Sequence, residues 1–237
     1  MKLEVFDDAD SVARGAAATI AAEARAAIAS RSRFCLAVSG GHTPWIMLHA
    51  LADEDVPWAG VHLFQVDERI APAGDPDRNL THLRESFLQH VSLGPEQIHA
   101  MPVEAADLQA AASEYALNLQ AIAGTPPVLD LVHLGLGPDG HTASLVPGDP
   151  ALEVTAQDVA VTGVYQGRRR MTLTYPVLNR ARRVLWVVTG GEKLGMLRRL
   201  RAGDVSIPAG RVRSDQALLL ADRAAAGELT VGYKQGG

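Results

Sequence analysis

A chain of 237 residues, 47% hydrophobic and 21% charged, has the composition of a globular protein, long enough to bury roughly 70 to 75% of its unfolded surface without staples. Its 22 Lys and Arg against 27 Asp and Glu give a formal charge of −5 and no basic footprint for nucleic acid. The single Cys35 excludes an internal disulfide framework and a Cys-based metal centre, and runs such as Val184 to Val188 fall far short of the ~18 apolar residues of a membrane helix.

Asp10 to Ser30 reads as one long Ala-rich helix, with Val12, Ala16, Ile20, Ala24, Ala27 and Ile28 near helical spacing. Phe34 to Val38 is a short apolar strand ended by Ser39-Gly40-Gly41. Pro44 then opens a helix to about Leu51, with Thr43 placed to cap it. The unit recurs: a strand at Val61 to Val66, a loop over Asp67 to Asp77, and a helix at Leu80 to His90. A helix at Leu108 to Ala121 precedes a strand at Leu129 to Gly135. Further strands are expected at Val159 to Val164, Met171 to Tyr175, Val184 to Val188 and Ala217 to Leu220, with a helix at Gly191 to Arg201.

Strands alternating with helices over short connections predict a doubly wound α/β fold, Rossmann-like, with a mostly parallel sheet covered on both faces. No linker, low-complexity tract or repeat interrupts residues 1–237, so one domain is expected, with fraying only over Tyr233 to Gly237. The acidic start (Glu4, Asp7, Asp8) reads as folded protein and not as a secretory leader, and the expected setting is the cytoplasm. Open sheets of this kind hold ligands beyond the carboxyl ends of their strands, which directs attention to the loops there.

Three such loops carry chemistry. Ser39-Gly40-Gly41-His42-Thr43-Pro44 could cradle a phosphate on free helix N–H groups, although a Gly-Gly loop taken alone reads more readily as a plain turn. Asp67-Glu68-Arg69 puts two carboxylates and a guanidinium on the sheet rim, where Arg69 can fork onto an anion; taken alone it is also a solvated charge cluster. Leu134 to His141 holds three glycines around Asp139 and His141, a costly arrangement unless unusual dihedrals are needed. His141 is the natural proton acceptor near neutral pH. The glycine spacing is wrong for a dinucleotide fingerprint, so no nicotinamide cofactor is expected. Arg168-Arg169-Arg170 precedes a strand, and Lys193 starts a helix where the macrodipole disfavours a cation, so it reads as facing a bound anion. The other His residues lack ligand spacing, and no metal is assigned.

The order of segments is itself informative: SGGHTP from Ser39, VDERIAPAGDPDRN from Val66, LGLGPDGHTASLVPG from Leu134, RMTLTYPVLNRA from Arg170 and TGGEKLGML from Thr189. Together, from about Arg33 to Leu220, they resemble the 6-phosphogluconolactonase family, whose fold is similar to that of glucosamine-6-phosphate deaminases and isomerases. His42 where Ser is commoner, and Arg78 before Asn79, depart from the family pattern. The resemblance implies hydrolysis of the small-molecule sugar phosphate 6-phospho-D-glucono-1,5-lactone without a cofactor. It implies His141 as base, with Asp139 orienting it or touching sugar hydroxyls. Phosphate would then lie among the backbone of Ser39, Gly40, Gly41, His42 and Thr43, with Arg69, Arg170 and Lys193, while Asp67 lies near the ring. Which of the three consecutive arginines reaches the substrate, and the oligomeric state, stay open. A deaminase reading is disfavoured because Ser144-Leu145-Val146-Pro147 replaces a carboxylate-bearing Asn-Glu-Pro element, and a non-catalytic sugar-phosphate sensor would normally join a helix-turn-helix.

Overall fold

The computed structural model describes residues 1–227, so the tail from Tyr233 to Gly237 lies outside the described residues. Strand β1 (Lys2–Phe6) leads into helix α1 (Ala9–Arg31), whose first turn is capped by Asp8 accepting from Ser11 N at 2.7 Å. The small side chains of Ala13, Ala16, Ala17, Ala21 and Ala24 are buried, which lets the helix lie close against its neighbours. Then follow β2 (Phe34–Val38), α2 (His42–Ala52), β3 (Val61–Gln65), β4 (Asp67–Arg69), α3 (Asn79–Ser86), β5 (Ile98–His99), α4 (Leu108–Ala123) and β6 (Leu131–Leu134). The chain continues through β7 (Val159–Val161), β8 (Arg170–Leu173), α5 (Tyr175–Arg180), β9 (Arg183–Val188), α6 (Leu194–Arg201), β10 (Ala217–Asp222) and α7 (Arg223–Ala226).

Seven strands form one sheet in the order β1-β10-β9-β6-β2-β3-β5, every neighbouring pair parallel. Alternation along each strand divides the core into two layers. Phe34, Leu36, Val38, Leu63, Leu185, Val187 and Leu220 pack with α1, α2 and α3. Cys35, Ala37, Phe64, Val132, Leu134, Trp186, Val188 and Leu219 face α4, α5, α6 and α7. The expected doubly wound, mostly parallel architecture is therefore present. From β2 the chain progresses through β3 and β5 to one edge, whereas from β6 it progresses through β9 and β10 towards the other. The adjacency of β2 and β6 is the switch point, and the loops after them diverge to leave a crevice.

The structure differs from the sequence reading in places. Asp67 to Arg69 is not loop but β4, which joins a separate antiparallel sheet of order β4-β8-β7. The chain bends at Val66, whose N–H donates to Val38 O in the large sheet while its carbonyl accepts from Leu173 N beside the small one. Strand β7 stops at Val161 because the next residues form a hairpin excursion that returns at β8. Thr43 does not cap α2: the helix begins at His42 with Gly41 as its cap residue, and Thr43 Oγ1 bonds Thr189 Oγ1 at 2.7 Å. Strands β1 and β5 and helix α5 were not expected; β5 has two residues and α5 six, too short for periodicity to register. Among the described residues no helix is long and apolar enough to cross a membrane.

Candidate active site

The loop after β2 supplies an anion-ready wall. Backbone N–H groups of Gly40, Gly41, His42 and Thr43 have no partner among the described residues, and Pro44 has no N–H to satisfy. Ser39 is spent differently: its N–H donates to His133 Nδ1 at 3.3 Å and its hydroxyl to His133 O at 3.1 Å. Complete burial pushes the His133 imidazole down to about 3, so it stays neutral under the loop. Gly40 is required by crowding, because a Cβ there would lie 2.2 Å from Asn79 Oδ1. Asn79 in turn donates from Nδ2 to Asp67 O at 3.0 Å, clamping the first loop to β4.

Strand alternation explains the Asp67-Glu68-Arg69 triplet. Asp67 and Arg69 point to the cleft, and Glu68 points away into complete burial. There its carboxylate accepts from Gln65 Nε2, Arg69 N, Asn79 N and Leu80 N at 2.8 to 2.9 Å and pairs with Arg78 Nε at 3.2 Å. It anchors the start of α3 and does not join the site, contrary to the expectation of two carboxylates on one rim. Burial raises the Asp67 carboxyl above its ordinary range, opposed by the Ser144 hydroxyl, which donates to Oδ2 at 2.5 Å, and by Arg170.

Of the three consecutive arginines, only Arg170 lines the cleft. Arg168 is tied to Asp75 and Asp77 at 3.1 and 2.7 Å, and Arg169 donates to Thr162 O at 3.2 Å. Arg170 is 5% exposed, its Nε has no partner, and desolvation lowers its proton affinity against the pull of Asp67. It stands directly across the antiparallel register from Arg69, which also lines the cleft. Like charges facing each other across a strand pair are destabilising, and a bound anion between the two forks removes that cost.

The loop after β6 carries the third group. Gly137 is again a matter of space: a Cβ would lie 2.1 Å from His141 Nδ1 and 2.3 Å from its Cε1. The imidazole therefore rests on bare backbone, with Gly137 N donating to His141 O at 2.8 Å. His141 Nδ1 lies 2.6 Å from Asp139 Oδ1, and His141 N also donates to that oxygen, at 3.1 Å. An ionised acceptor assigns the proton to Nδ1 and leaves the Nε2 lone pair, which has no partner among the described residues, for chemistry. Partial burial would raise the Asp139 carboxyl, but the backbone and ring of His141 and the Tyr165 hydroxyl outweigh it and hold the group below the usual carboxylate range. His141 lines the cleft and Asp139 does not, so Asp139 sits behind the imidazole and orients it.

These walls enclose a cleft of about 570 Å³, within the usual range for small-ligand pockets. Lys193 lines it, its N–H donating to Gly190 O at 3.0 Å and its ammonium without a charged or hydrogen-bonding partner among the described residues, beside exposed Glu192. Thr189 and Asp222 close that end, Asp222 accepting from Gly190 N at 3.0 Å. The predicted Ser39, Gly40, Gly41, His42, Thr43, Asp67, Arg69, His141, Arg170 and Lys193 are all brought together here. Asn79, Thr189, Asp222 and Tyr165 escaped the sequence reading as site residues, although Asn79 ends the VDERIAPAGDPDRN segment that carries the family resemblance. Among the described residues no group of three or more His, Cys, Asp or Glu could hold a metal ion.

Comparison with known proteins shows the family and the fold. A family model described as glucosamine-6-phosphate isomerases/6-phosphogluconolactonase matches residues 7–220. The chain is similar to 6-phosphogluconolactonase of a Nostoc species, 35% identical over 97% of this chain and 98% of the relative. It is also similar to that of Mycobacterium tuberculosis, 37% identical over 96% and 98%. Among solved structures, 6-phosphogluconolactonase from Trypanosoma brucei superposes with a TM-score of 0.83 at 25% identity, over 97% of this chain and 98% of the other. A monomeric glucosamine-6-phosphate deaminase has the same fold, with a TM-score of 0.83 at 20% identity over 95% and 99%.

Proposed function

We propose a mechanism from this premise: the chain belongs to the glucosamine-6-phosphate isomerase/6-phosphogluconolactonase family and hydrolyses 6-phospho-D-glucono-1,5-lactone to 6-phospho-D-gluconate. A lactone carbonyl is already electrophilic and its leaving alkoxide stays tethered. The protein must activate water, hold the substrate and stabilise developing charge. His141 Nε2 takes a proton from water as its oxygen bonds C1. Collapse of the tetrahedral intermediate breaks the bond between C1 and the ring oxygen, and the imidazolium returns the proton to that oxygen. Asp139 keeps the imidazole in the required tautomer and stabilises the transient cation.

The phosphate lies against the free N–H groups at the start of α2, with Arg69, Arg170 and Lys193 as cations and the Ser39 backbone as the loop's fixed end. Asp67 accepts from a sugar hydroxyl. The single observation that carries the reading is the Asp139–His141 pair opening on the same cleft as the facing guanidiniums of Arg69 and Arg170. We read the chain as a single lactonase domain that needs no cofactor. A reducing, cytoplasmic setting belongs to the same reading, supported by the lone buried thiol of Cys35, which burial holds protonated by raising it to about 12.

The test is proton release from freshly generated lactone, corrected for spontaneous hydrolysis. His141→Ala should lower kcat by about 10²- to 10⁴-fold with little change in KM. Unchanged turnover rejects His141 as the base, and a wild-type rate no faster than buffer rejects the function. Ammonia release from glucosamine 6-phosphate would instead favour the deaminase reading.

A further inference from the structure

We infer that Tyr165 is a positioning residue for the reaction, a single phenol that fixes the Asp139–His141 pair and carries Arg170 on its face. The inference rests on the lactonase reading and adds a residue to it. Tyr165 lies on the hairpin between β7 and β8, closed by Tyr165 N donating to Arg168 O at 2.9 Å and Arg168 N to Tyr165 O at 3.2 Å. The two residues at its tip, Gln166 and Gly167, have φ of 51° and 79°. Positive φ at both central positions is the signature of a type I′ turn, whose twist matches that of paired strands. The hairpin is tied down on both sides. Gly163 N donates to Asp149 Oδ2 at 2.9 Å, and Arg168 is held by Asp75 and Asp77.

This anchored hairpin delivers one half-buried ring against three groups the mechanism uses. The Tyr165 hydroxyl donates to Asp139 Oδ2 at 3.0 Å, leaving Oδ1 to His141. Both carboxylate oxygens are thereby committed, and rotation about the Asp139 side chain would break three bonds at once. The ring edge meets the His141 imidazole at 5.5 Å between centroids and 67° between planes, which limits tilting of the base. Its face lies 5.0 Å from the Arg170 guanidinium carbon, a cation–π contact for an arginine with few polar partners. Gln166 Oε1 accepts from Arg170 Nη2 at 3.3 Å, so the hairpin holds this guanidinium twice. Tyr165 does not line the cleft. It acts through its neighbours, joining the end that activates water to the end that grips the anion.

The roles separate by substitution. Tyr165→Phe keeps the ring under Arg170 and removes only the bond to Asp139, whereas Tyr165→Leu removes both. In the proton-release assay, Tyr165→Phe should lower kcat about tenfold and leave KM within about twofold. Tyr165→Leu should lower kcat at least as much and raise KM about threefold or more. Because the hydroxyl works through Asp139, adding Tyr165→Phe to Asp139→Asn should cost less than about twofold further. Wild-type kcat in Tyr165→Phe, or the same cost in both backgrounds, overturns the inference. If Tyr165→Leu does not fold, the Phe variant and the double mutant decide alone. Failure of the underlying function would appear independently, as wild-type protein without lactonase activity or as full turnover in His141→Ala.

Discussion

Gly137→Ala tests the geometry of the base without touching any reacting group. A Cβ at this position would sit 2.1, 2.3 and 2.6 Å from His141 Nδ1, Cε1 and Cγ. Ordinary contacts are about 3.5 to 4.0 Å, so the imidazole must retreat by more than about 1 Å. Residue 137 is not in the left-handed region, so alanine adds no backbone strain of its own. The cost falls on the 2.6 Å bond between Nδ1 and Asp139 and on the aim of Nε2. A hydrogen bond to a charged partner contributes about 1.5 to 3 kcal/mol, equivalent to roughly 10- to 160-fold in rate, and a misplacement of about 1 Å costs of the order of 10² on its own. We therefore expect kcat to fall about 10- to 200-fold in the proton-release assay, with KM within about twofold because the anion-binding groups lie on other loops. Gly195→Ala, on α6 and outside the cleft, is the control, since a Cβ there meets nothing within 4 Å, and it should turn over like wild type. Wild-type kcat in Gly137→Ala refutes the reasoning. So does a lowered kcat accompanied by a thermal midpoint that has collapsed relative to wild type.

Arg170→Met should raise KM about tenfold or more and weaken competition by inorganic phosphate, and Arg170→Lys should recover little because an ammonium cannot reproduce the fork; equal KM values in all three proteins would remove Arg170 from the anion site. Stability should fall on acidification from about pH 6.5 towards pH 3, because His133 is held near 3 when folded and His99 near 4, with His62 also lowered. In that window the unfolded chain binds more protons than the folded one, so stability is fully present above the ordinary imidazole range and lost below it. Urea midpoints at pH 7, 5 and 4 should therefore show a shallower pH dependence for His133→Gln than for wild type, and parallel curves would contradict the assignment.

Much of the large sheet was legible because strands such as Phe34 to Val38 and Val184 to Val188 are uninterrupted apolar runs followed by glycine-bearing turns, at Gly40-Gly41 and Gly190-Gly191. The glycines themselves pointed to the site for a steric reason: Gly40 and Gly137 make room for Asn79 and His141. The small sheet was not legible. Asp67 to Arg69 is polar throughout, so nothing in its composition separates a strand from a charged loop; its regularity comes from pairing with Arg170 to Thr172, about a hundred residues away. That non-local pairing selected Arg170 over its two neighbours and turned Glu68 inward. Tyr165 was hidden for a related reason, since its contacts with Asp139, His141 and Arg170 depend on how a hairpin tip folds back.

Strand β1 has β10 as its sheet partner, with Lys2 opposite Leu218 and Phe6 opposite Asp222. The earliest and latest strands of the described chain are thus sheet neighbours. On a ribosome, β1 must wait without that partner until the eight intervening strands have emerged, an arrangement of high contact order. The same late strand brings Asp222, which fixes Gly190 beside Lys193. The crevice is consequently finished only once β10 has emerged, and a nascent chain halted before β10 lacks one of its walls.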